Sequence, residues 1–386
     1  MNGLAKISNF DYKFVNREME ATKVSNHIAR KAGELVQRRI DLLKIGQKMQ
    51  DLPEELWHES FRFYVKEDPN RKGGPNLRMI RLYPDKPSPT VTGYIFNKFV
   101  HPYENRFITV REAARLQGFP DEVAFQGSLT STQLQVGNAV PVPLAKAVFE
   151  SLLQSVNEQF GISQNLTALS LFSGAGGMDI GCEQASYQSQ NIITKISTDF
   201  WHDACETLQN YYGSNARVIE QDITKIENPY DFWKEYSGES KTPDLIYGGP
   251  PCQAFSQAGR QKARDDVRGN LIFEFLKFVQ ILRPNFFILE NVSNLKGVGK
   301  GILYKQLIEE INLLGYNLNV GQLLAANFGA PQMRYRLIFM GCRNDIGRLT
   351  LPVPTHDIYP SLFTKSYLTV QEAFRNLPSA SFKTKL

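Results

Sequence analysis

The chain has 386 residues, with 42% hydrophobic and 22% charged content and a formal charge of +5, as in a globular protein with one large and one smaller domain. Its first residues lack the apolar run of a secretory signal, and no apolar stretch approaches the length that spans a bilayer, so a cytoplasmic protein is expected. Cys182, Cys205, Cys252 and Cys342 form no CxxC pair, which argues against structural zinc and against a disulfide framework. Charge is unevenly placed: residues 1–100 hold 18 Lys and Arg against 12 Asp and Glu, while the rest hold 26 against 27. Such an excess fits a polyanionic partner or, equally, a solvated helical face.

In chain order, residues 28–50 read as a basic helix and residues 66–90, rich in Pro, Gly, Asn and Lys, as loops with short strands. Thr109-Val110-Arg111-Glu112 is a capping box that starts a helix ending at Gly118 and Pro120. A further helix follows Pro143 through Ala145–Leu153, with a domain boundary near residue 100 and a linker at about 155–166. From Asn165 onward short apolar runs alternate with amphipathic stretches. Thr167–Phe172, Ile192–Ser197, Asp244–Tyr247, Phe286–Leu289 and Leu337–Gly341 read as strands. Leu271–Leu282 and Ile302–Leu314 read as helices, the second closed by Gly315. This alternation predicts an α/β fold with a doubly wound, mostly parallel sheet.

The first of these strands runs directly into a glycine-rich turn, Phe172-Ser173-Gly174-Ala175-Gly176-Gly177. Glycines there let a ligand approach the backbone, and the following helix offers free N–H donors. No Lys-Ser/Thr pair follows, which excludes a nucleoside-triphosphate loop. The next strand ends at Asp199, an acid suited to ribose hydroxyls, and then Phe200-Trp201, an aromatic pair suited to stacking on adenine. A third strand region ends at Asp222-Ile223, suited to the adenine edge. A nicotinamide dinucleotide would satisfy much of this pattern.

Gly248-Gly249-Pro250-Pro251-Cys252-Gln253-Ala254-Phe255-Ser256 follows an apolar strand. Two prolines fix the backbone and set Cys252 at the carboxyl edge of the sheet, where open α/β folds bind ligands. A cysteine kept only for packing needs no such rigid, polar setting, so Cys252 is the candidate nucleophile. Glu290-Asn291-Val292 ends another apolar strand. Gln332, Arg334 and Arg336 lie two apart and share one face of a strand, with Met333, Tyr335, Leu337 and Phe339 expected to fill the other.

Together with Arg111-Glu112 through Asp121 and with Gln135-Val136-Gly137-Asn138-Ala139-Val140-Pro141, these motifs resemble the DNA (cytosine-5) methyltransferases of bacterial restriction–modification type. The resemblance implies a Rossmann-like S-adenosylmethionine-dependent methyltransferase fold with a smaller target-recognition domain. It implies double-stranded DNA as substrate, and a monomer whose site is shared with a cognate restriction endonuclease. Cys252 would add at C6 of a flipped-out cytosine, and Glu290 would hold a proton for N3. Arg336 would meet the base with Arg334 supporting it. The glycine turn, Asp199, Phe200, Asp222, Ile223, Pro250, Leu271, Asn138 and Ala139 would line the S-adenosylmethionine site. Arg260, Lys262, Arg264 and Arg268 would lie on a mobile loop, Gln257 to Asn270, that closes over DNA.

The order of motifs departs from the common arrangement, in which the glycine turn comes first. Here the two motifs that usually end the chain fall at residues 111–141, before the turn, as in a circular permutation. His27-Ile28-Ala29 looks like the continuation of the tail Tyr367–Pro378. Residues 1–100 with the tail 356–386 are then the target-recognition region, 101–160 complete the catalytic domain, and 161–355 hold catalysis and cofactor. Within the first region Lys66, Arg71, Lys72, Arg78, Arg81 and Lys86 are candidates for phosphate contacts. An RNA cytosine-5 methyltransferase and a catalytically silent DNA-binding subunit are the alternative readings.

Overall fold

The computed structural model describes residues 24–66, 79–93, 98–214, 217–251 and 271–382. Its centre is an eight-stranded sheet made of β1 (Leu166–Leu171), β2 (Ser186–Tyr187), β3 (Gln190–Asp199), β4 (Arg217–Glu220), β5 (Leu245–Gly248), β6 (Phe286–Val292), β7 (Tyr316–Leu324) and β8 (Tyr335–Arg343). Across the sheet the order is β7-β8-β6-β5-β1-β3, and β2 and β4 share the outer edge of β3. The pairings β6–β5, β5–β1, β1–β3 and β3–β4 are parallel, whereas β8 runs antiparallel to both β6 and β7. This is the Rossmann-like, doubly wound sheet expected from the alternating sequence, with a reversed strand near one edge.

Alternation along the strands sorts their side chains into two apolar layers. Leu166 and Ala168, Leu245 and Tyr247, and Phe286 and Ile288 pack with helix Val142–Glu158 (α1), which lies against helix Gly177–Glu183 (α2). Leu169 and Leu171, Ile246, Phe287 and Leu289 face the opposite layer, built by Pro229–Ser237, Leu271–Leu282 and Ile302–Leu313. Strands covered on both faces become continuous apolar runs, which is why β5 and β6 were legible as such. By the same parity Glu290, Arg334 and Arg336 point to the α1 side.

A third apolar cluster takes in Ile40, Met49, Phe99, Ile108 and Val136, and reaches Val370 in the tail. The tail and the start of the chain are joined by more than packing. Ile28–Ala29 pairs in parallel with Ser381–Phe382, and the His27 ring bridges Thr109 Oγ1 at 2.9 Å and the Pro378 carbonyl at 2.8 Å.

Several expectations need correction. Only Glu34–Leu42 of residues 28–50 is α-helical, because Leu43 turns extended and Gly46, at φ +78°, lies where a Cβ would strike the Tyr83 ring. Arg81 does not face solvent: it is buried, and its guanidinium donates to the carbonyls of Leu43, Ile40, His101 and Glu104 and to Asn105 Oδ1. It clamps a core rather than a phosphate. Met333 and Tyr335, expected to fill an apolar face, are exposed. Leu337 and Phe339 are buried as expected. The helix after Pro143 runs from Val142 to Glu158, further than the predicted Ala145–Leu153. Among the described residues no helix is long and apolar enough to cross a membrane.

Candidate functional site

The carboxyl edge of the sheet gathers the predicted motifs from both halves of the chain. In the glycine turn Phe172 and Gly174 take left-handed backbone angles of +57° and +53°, and Gly176 at +85° forms the N-cap of α2. A side chain at Gly177 would run into the carbonyl of Val140 at 2.4 Å and the Cβ of Ala139 at 3.1 Å. Asn138-Ala139-Val140 therefore lies directly on the start of that helix, and only glycine admits the approach. At the end of β3 the Asp199 carboxylate accepts the N–H of Gly174 at 2.8 Å and of Trp201 at 2.9 Å. Burial pushes its pKa up, against those two bonds. Phe200 beside it is 68% exposed, with its ring free for a ligand.

Asp222 follows β4 and caps the turn Ile223–Lys225, accepting the N–H of Thr224 at 3.0 Å. That turn packs against the helix that begins at Leu271. Phe172, Ile223 and Ile272 belong to one apolar layer, so the turn, Asp222-Ile223 and the start of that helix surround one region.

Beside it lies a second cluster. Glu290 is 7% exposed, and its Oε1 is 2.5 Å from Arg336 Nε, although the Nε–H is not aligned to form a hydrogen bond. The contact follows from register: Val292 pairs with Arg336 and Glu290 with Ile338, making Glu290 and Arg336 diagonal neighbours on one face. Burial raises the Glu290 pKa, while Arg336 and then Arg334 pull it down, and burial wins.

Glu290 also abuts the strand that leads to Cys252. A Cβ on Gly249 would sit 2.6 Å from Glu290 Oε2, and one on Gly248 would sit 2.1 Å from the Leu171 carbonyl. Asn291 Nδ2 donates to the Pro250 carbonyl at 3.1 Å. Cys252 itself, and the loop with Arg260, Lys262, Arg264 and Arg268, lie outside the described residues, as do Arg71, Lys72 and Arg78.

Arg334 has a different place from its neighbour. It is buried and donates to the carbonyls of Val91 and Gly137, the latter at 2.8 Å. Gln332 Nε2 donates to the Leu116 carbonyl at 2.9 Å and to Gln117 Oε1. Gln117 in turn reaches the carbonyl of Val136 at 2.6 Å. These side chains tie the edge of the sheet to the segments at residues 91, 116–117 and 136–139.

The C-5 cytosine-specific DNA methylase family model matches residues 5–154 and 166–385. The chain belongs to the C-5 cytosine-specific DNA methylase family. Among its relatives, Type II methyltransferase M1.HphI of Haemophilus parahaemolyticus is 36% identical over 197 residues, covering 50% of this chain and 50% of that protein. Type II methyltransferase M.NgoFVII of Neisseria gonorrhoeae is 36% identical over 219 residues, 56% of this chain and 55% of that one. Type II methyltransferase M.AquIA of Picosynechococcus is 36% identical over 231 residues, 55% of this chain and 89% of that one. The chain spans about half the length of the first two. A solved putative DNA modification methyltransferase from an E. coli prophage aligns with TM-score 0.45 and 24% identity over 55% of each chain.

The sequence singled out the glycine turn, Asp199, Asp222, Glu290 and Arg336 as candidates, and the fold brings them to one edge of the sheet. It did not identify Gly249 as the neighbour of Glu290 or Asn291 as the anchor of Pro250. The only available signal was their adjacency to recognised motifs.

Proposed function

We propose that this protein transfers a methyl group from S-adenosylmethionine to C5 of a cytosine swung out of duplex DNA, with Cys252 adding transiently at C6. The observation that carries the reading is Glu290, buried with a raised pKa, paired to Arg336, and one residue from the Asn291–Pro250 bond that fixes the strand end before Cys252. The Type II methyltransferase relatives support DNA of a defined sequence as the substrate and protection from a restriction enzyme as its use.

The donor set fits S-adenosylmethionine better than a dinucleotide. The turn N–H that would greet a diphosphate already donates to Asp199, and that carboxylate would repel phosphate oxygens. Asp199 and Asp222 would hold the ribose hydroxyls and the adenine edge, with Phe172 and Phe200 beside the ring, and Pro250, Leu271, Asn138 and Ala139 would close the site. Bound there, S-adenosylmethionine supplies an electrophilic methyl group.

Cytosine C5 is a weak nucleophile, so the base must first be activated. The Cys252 sulfur forms a bond to C6, and the displaced ring electrons move toward N3, where a protonated Glu290 gives or shares its proton. Arg336, on the same face, would meet the cytosine O2, with Arg334 supporting it from behind. C5 would then take the methyl group as its bond to the sulfonium sulfur breaks and S-adenosylhomocysteine leaves; the C5 proton would go to a base, the N3 proton would return to Glu290, and the S–C6 bond would break to restore the aromatic ring and the Cys252 thiolate. Eversion of the base costs about a few kcal/mol of stacking and pairing.

Residues 1–100 with the tail 356–386 would read the target, residues 101–160 would complete the catalytic unit, and 161–355 would hold its chemistry in a permuted order. The family model leaves residues 155–165 unmatched, between the body of α1 and β1, which supports a joint at that place. Bisulfite sequencing of unmethylated DNA treated with the pure protein and S-adenosylmethionine tests the reading, with protected cytosines expected at one short sequence. A duplex with 5-fluorocytosine at that position is expected to trap the protein covalently through Cys252, because fluorine cannot leave as the proton does. Recovery of free protein alone would overturn the covalent route.

A further inference from the structure

The segment after β8 forms a compact loop at the start of the tail that would take part in reading the target. His356–Asp357 pairs with Lys365–Ser366 and closes its base, and the seven residues between them project from the molecule. Leu362 is 99% exposed, Phe363 89% and Tyr359 81%. Apolar side chains this exposed are costly unless a partner covers them.

The tip is not slack. Asp357 Oδ1 accepts the N–H of Tyr359 at 2.9 Å, Thr364 Oγ1 accepts that of Ser361 at 3.0 Å, and Ser361 Oγ accepts that of Phe363 at 3.2 Å. These bonds hold Leu362 and Phe363 outward and reduce the entropy lost when they are buried. The foot of the loop is seated on Asn327: Thr355 N donates to its carbonyl at 2.9 Å, and the Tyr367 hydroxyl donates to its Oδ1 at 2.7 Å. Asn327 lies in the turn Ala325–Phe328, between β7 and the Gln332–Arg336 segment. Leu324 pairs with Tyr335 there, so the loop stands on the sheet edge that carries Glu290 and Arg336.

We propose that this loop is an apolar wedge for DNA, and that Leu362 and Phe363 enter the base stack of the duplex beside the everted cytosine. The inference rests on the proposed DNA substrate. Two observations favour DNA over a protein partner. The tip stands on the edge that the target base must reach, and the exposed Lys365 at its foot is suited to a phosphate. Leu and Phe side chains are the kind that unstack base steps in bent duplexes. A wedge here offsets part of the stacking lost when the cytosine leaves.

The test uses the full chain and the double variant Leu362→Ser, Phe363→Ser, which alters only exposed side chains. Methylation rates are compared on the target duplex found by bisulfite sequencing and on the same duplex with an abasic site opposite the target cytosine. The wedge predicts a loss of about tenfold or more in kcat/KM on the paired duplex, and a much smaller loss where eversion is already cheap. Unchanged affinity for S-adenosylhomocysteine shows that the variant is folded. Equal losses on both duplexes, or no loss on either, would overturn the wedge while leaving the methyltransferase reading intact. A wild-type dimer that the variant abolishes would assign the tip to a second copy and overturn it as well. Failure of the wild-type protein to methylate any duplex would remove the DNA reading, and the wedge with it.

Discussion

Glu290 and Arg336 meet at 2.5 Å on one face of the sheet, and Arg336 pulls down a carboxyl pKa that burial has raised. In the proposed reaction Glu290 acts in its protonated form, so activity is present below its pKa and is lost as pH rises through it. Glu290→Gln is expected to cut kcat by about 10²–10³-fold, within the usual range for losing a general acid, and to erase that alkaline limb. Arg336→Leu removes a charge that favours the carboxylate, so the limb should move to higher pH in addition to any loss of rate. Rate–pH profiles of kcat/KM for the three proteins decide the matter. A limb unmoved in both variants would take Glu290 out of the proton path.

Gly249 leaves no room for a methyl group, because its Cβ would lie 2.6 Å from Glu290 Oε2. Gly249→Ala should therefore displace the carboxyl rather than unfold the strand, as only the end of a side chain must move. A fall in kcat of about 10²-fold is expected, since a misplacement near 1 Å can cost that much. Cofactor affinity should be little changed. Calorimetric titration with S-adenosylhomocysteine beside single-turnover methylation separates these effects, and full activity would show that Glu290 has freedom to spare.

The sequence made the centre of the sheet legible because β5 and β6, covered on both faces, are unbroken apolar runs. β7 was not legible: Tyr316–Leu324 alternates Asn, Gly and Gln with apolar residues, as befits a half-exposed edge strand. Glu290 was recognisable from its place after Phe287-Ile288-Leu289, whereas its pairing with Arg336 depends on an antiparallel register that no local pattern encodes. Arg81 shows the converse failure. Its neighbours in sequence are basic and loop-forming, but five acceptors from distant segments bury it. A cation's role is set by the carbonyls that tertiary folding brings to it, and these are invisible in a linear pattern.

Asp199 joins two tasks in the proposed function: its carboxylate holds the N–H groups of Gly174 and Trp201, and it would hold the ribose hydroxyls. Asp199→Ala would remove the acceptor for the two ribose hydroxyls and also loosen the turn, so it should weaken binding of S-adenosylhomocysteine by about 3–6 kcal/mol, two lost bonds to a charged acceptor at about 1.5–3 kcal/mol each. Asp222 is more exposed and caps a single short turn, so Asp222→Ala should cost less. Calorimetry on the two variants gives the order. A larger loss for Asp222→Ala would reverse the assignment of the dominant acid.

Asp179 lies wholly buried in α2 behind the glycine turn, where Oδ1 accepts the Ser197 hydroxyl at 2.7 Å and the Tyr247 hydroxyl at 3.3 Å, while Oδ2 has no partner among the described residues. Burial raises its pKa from 3.8 to about 6, despite those hydrogen bonds. A raised acid binds its proton more tightly when folded, so its contribution to stability is full below pH 3.8 and is lost as pH rises through about 6. The loss amounts to about 3 kcal/mol, from roughly two pKa units at ~1.4 kcal/mol each. Asp179→Asn keeps an acceptor for Ser197 and Tyr247 but cannot ionise, so it should escape this loss. Urea unfolding of both proteins at pH 5 and pH 8 is the measurement. The variant should gain on the wild type between the two, and a constant difference would mean that Asp179 titrates alike in the folded and unfolded chains.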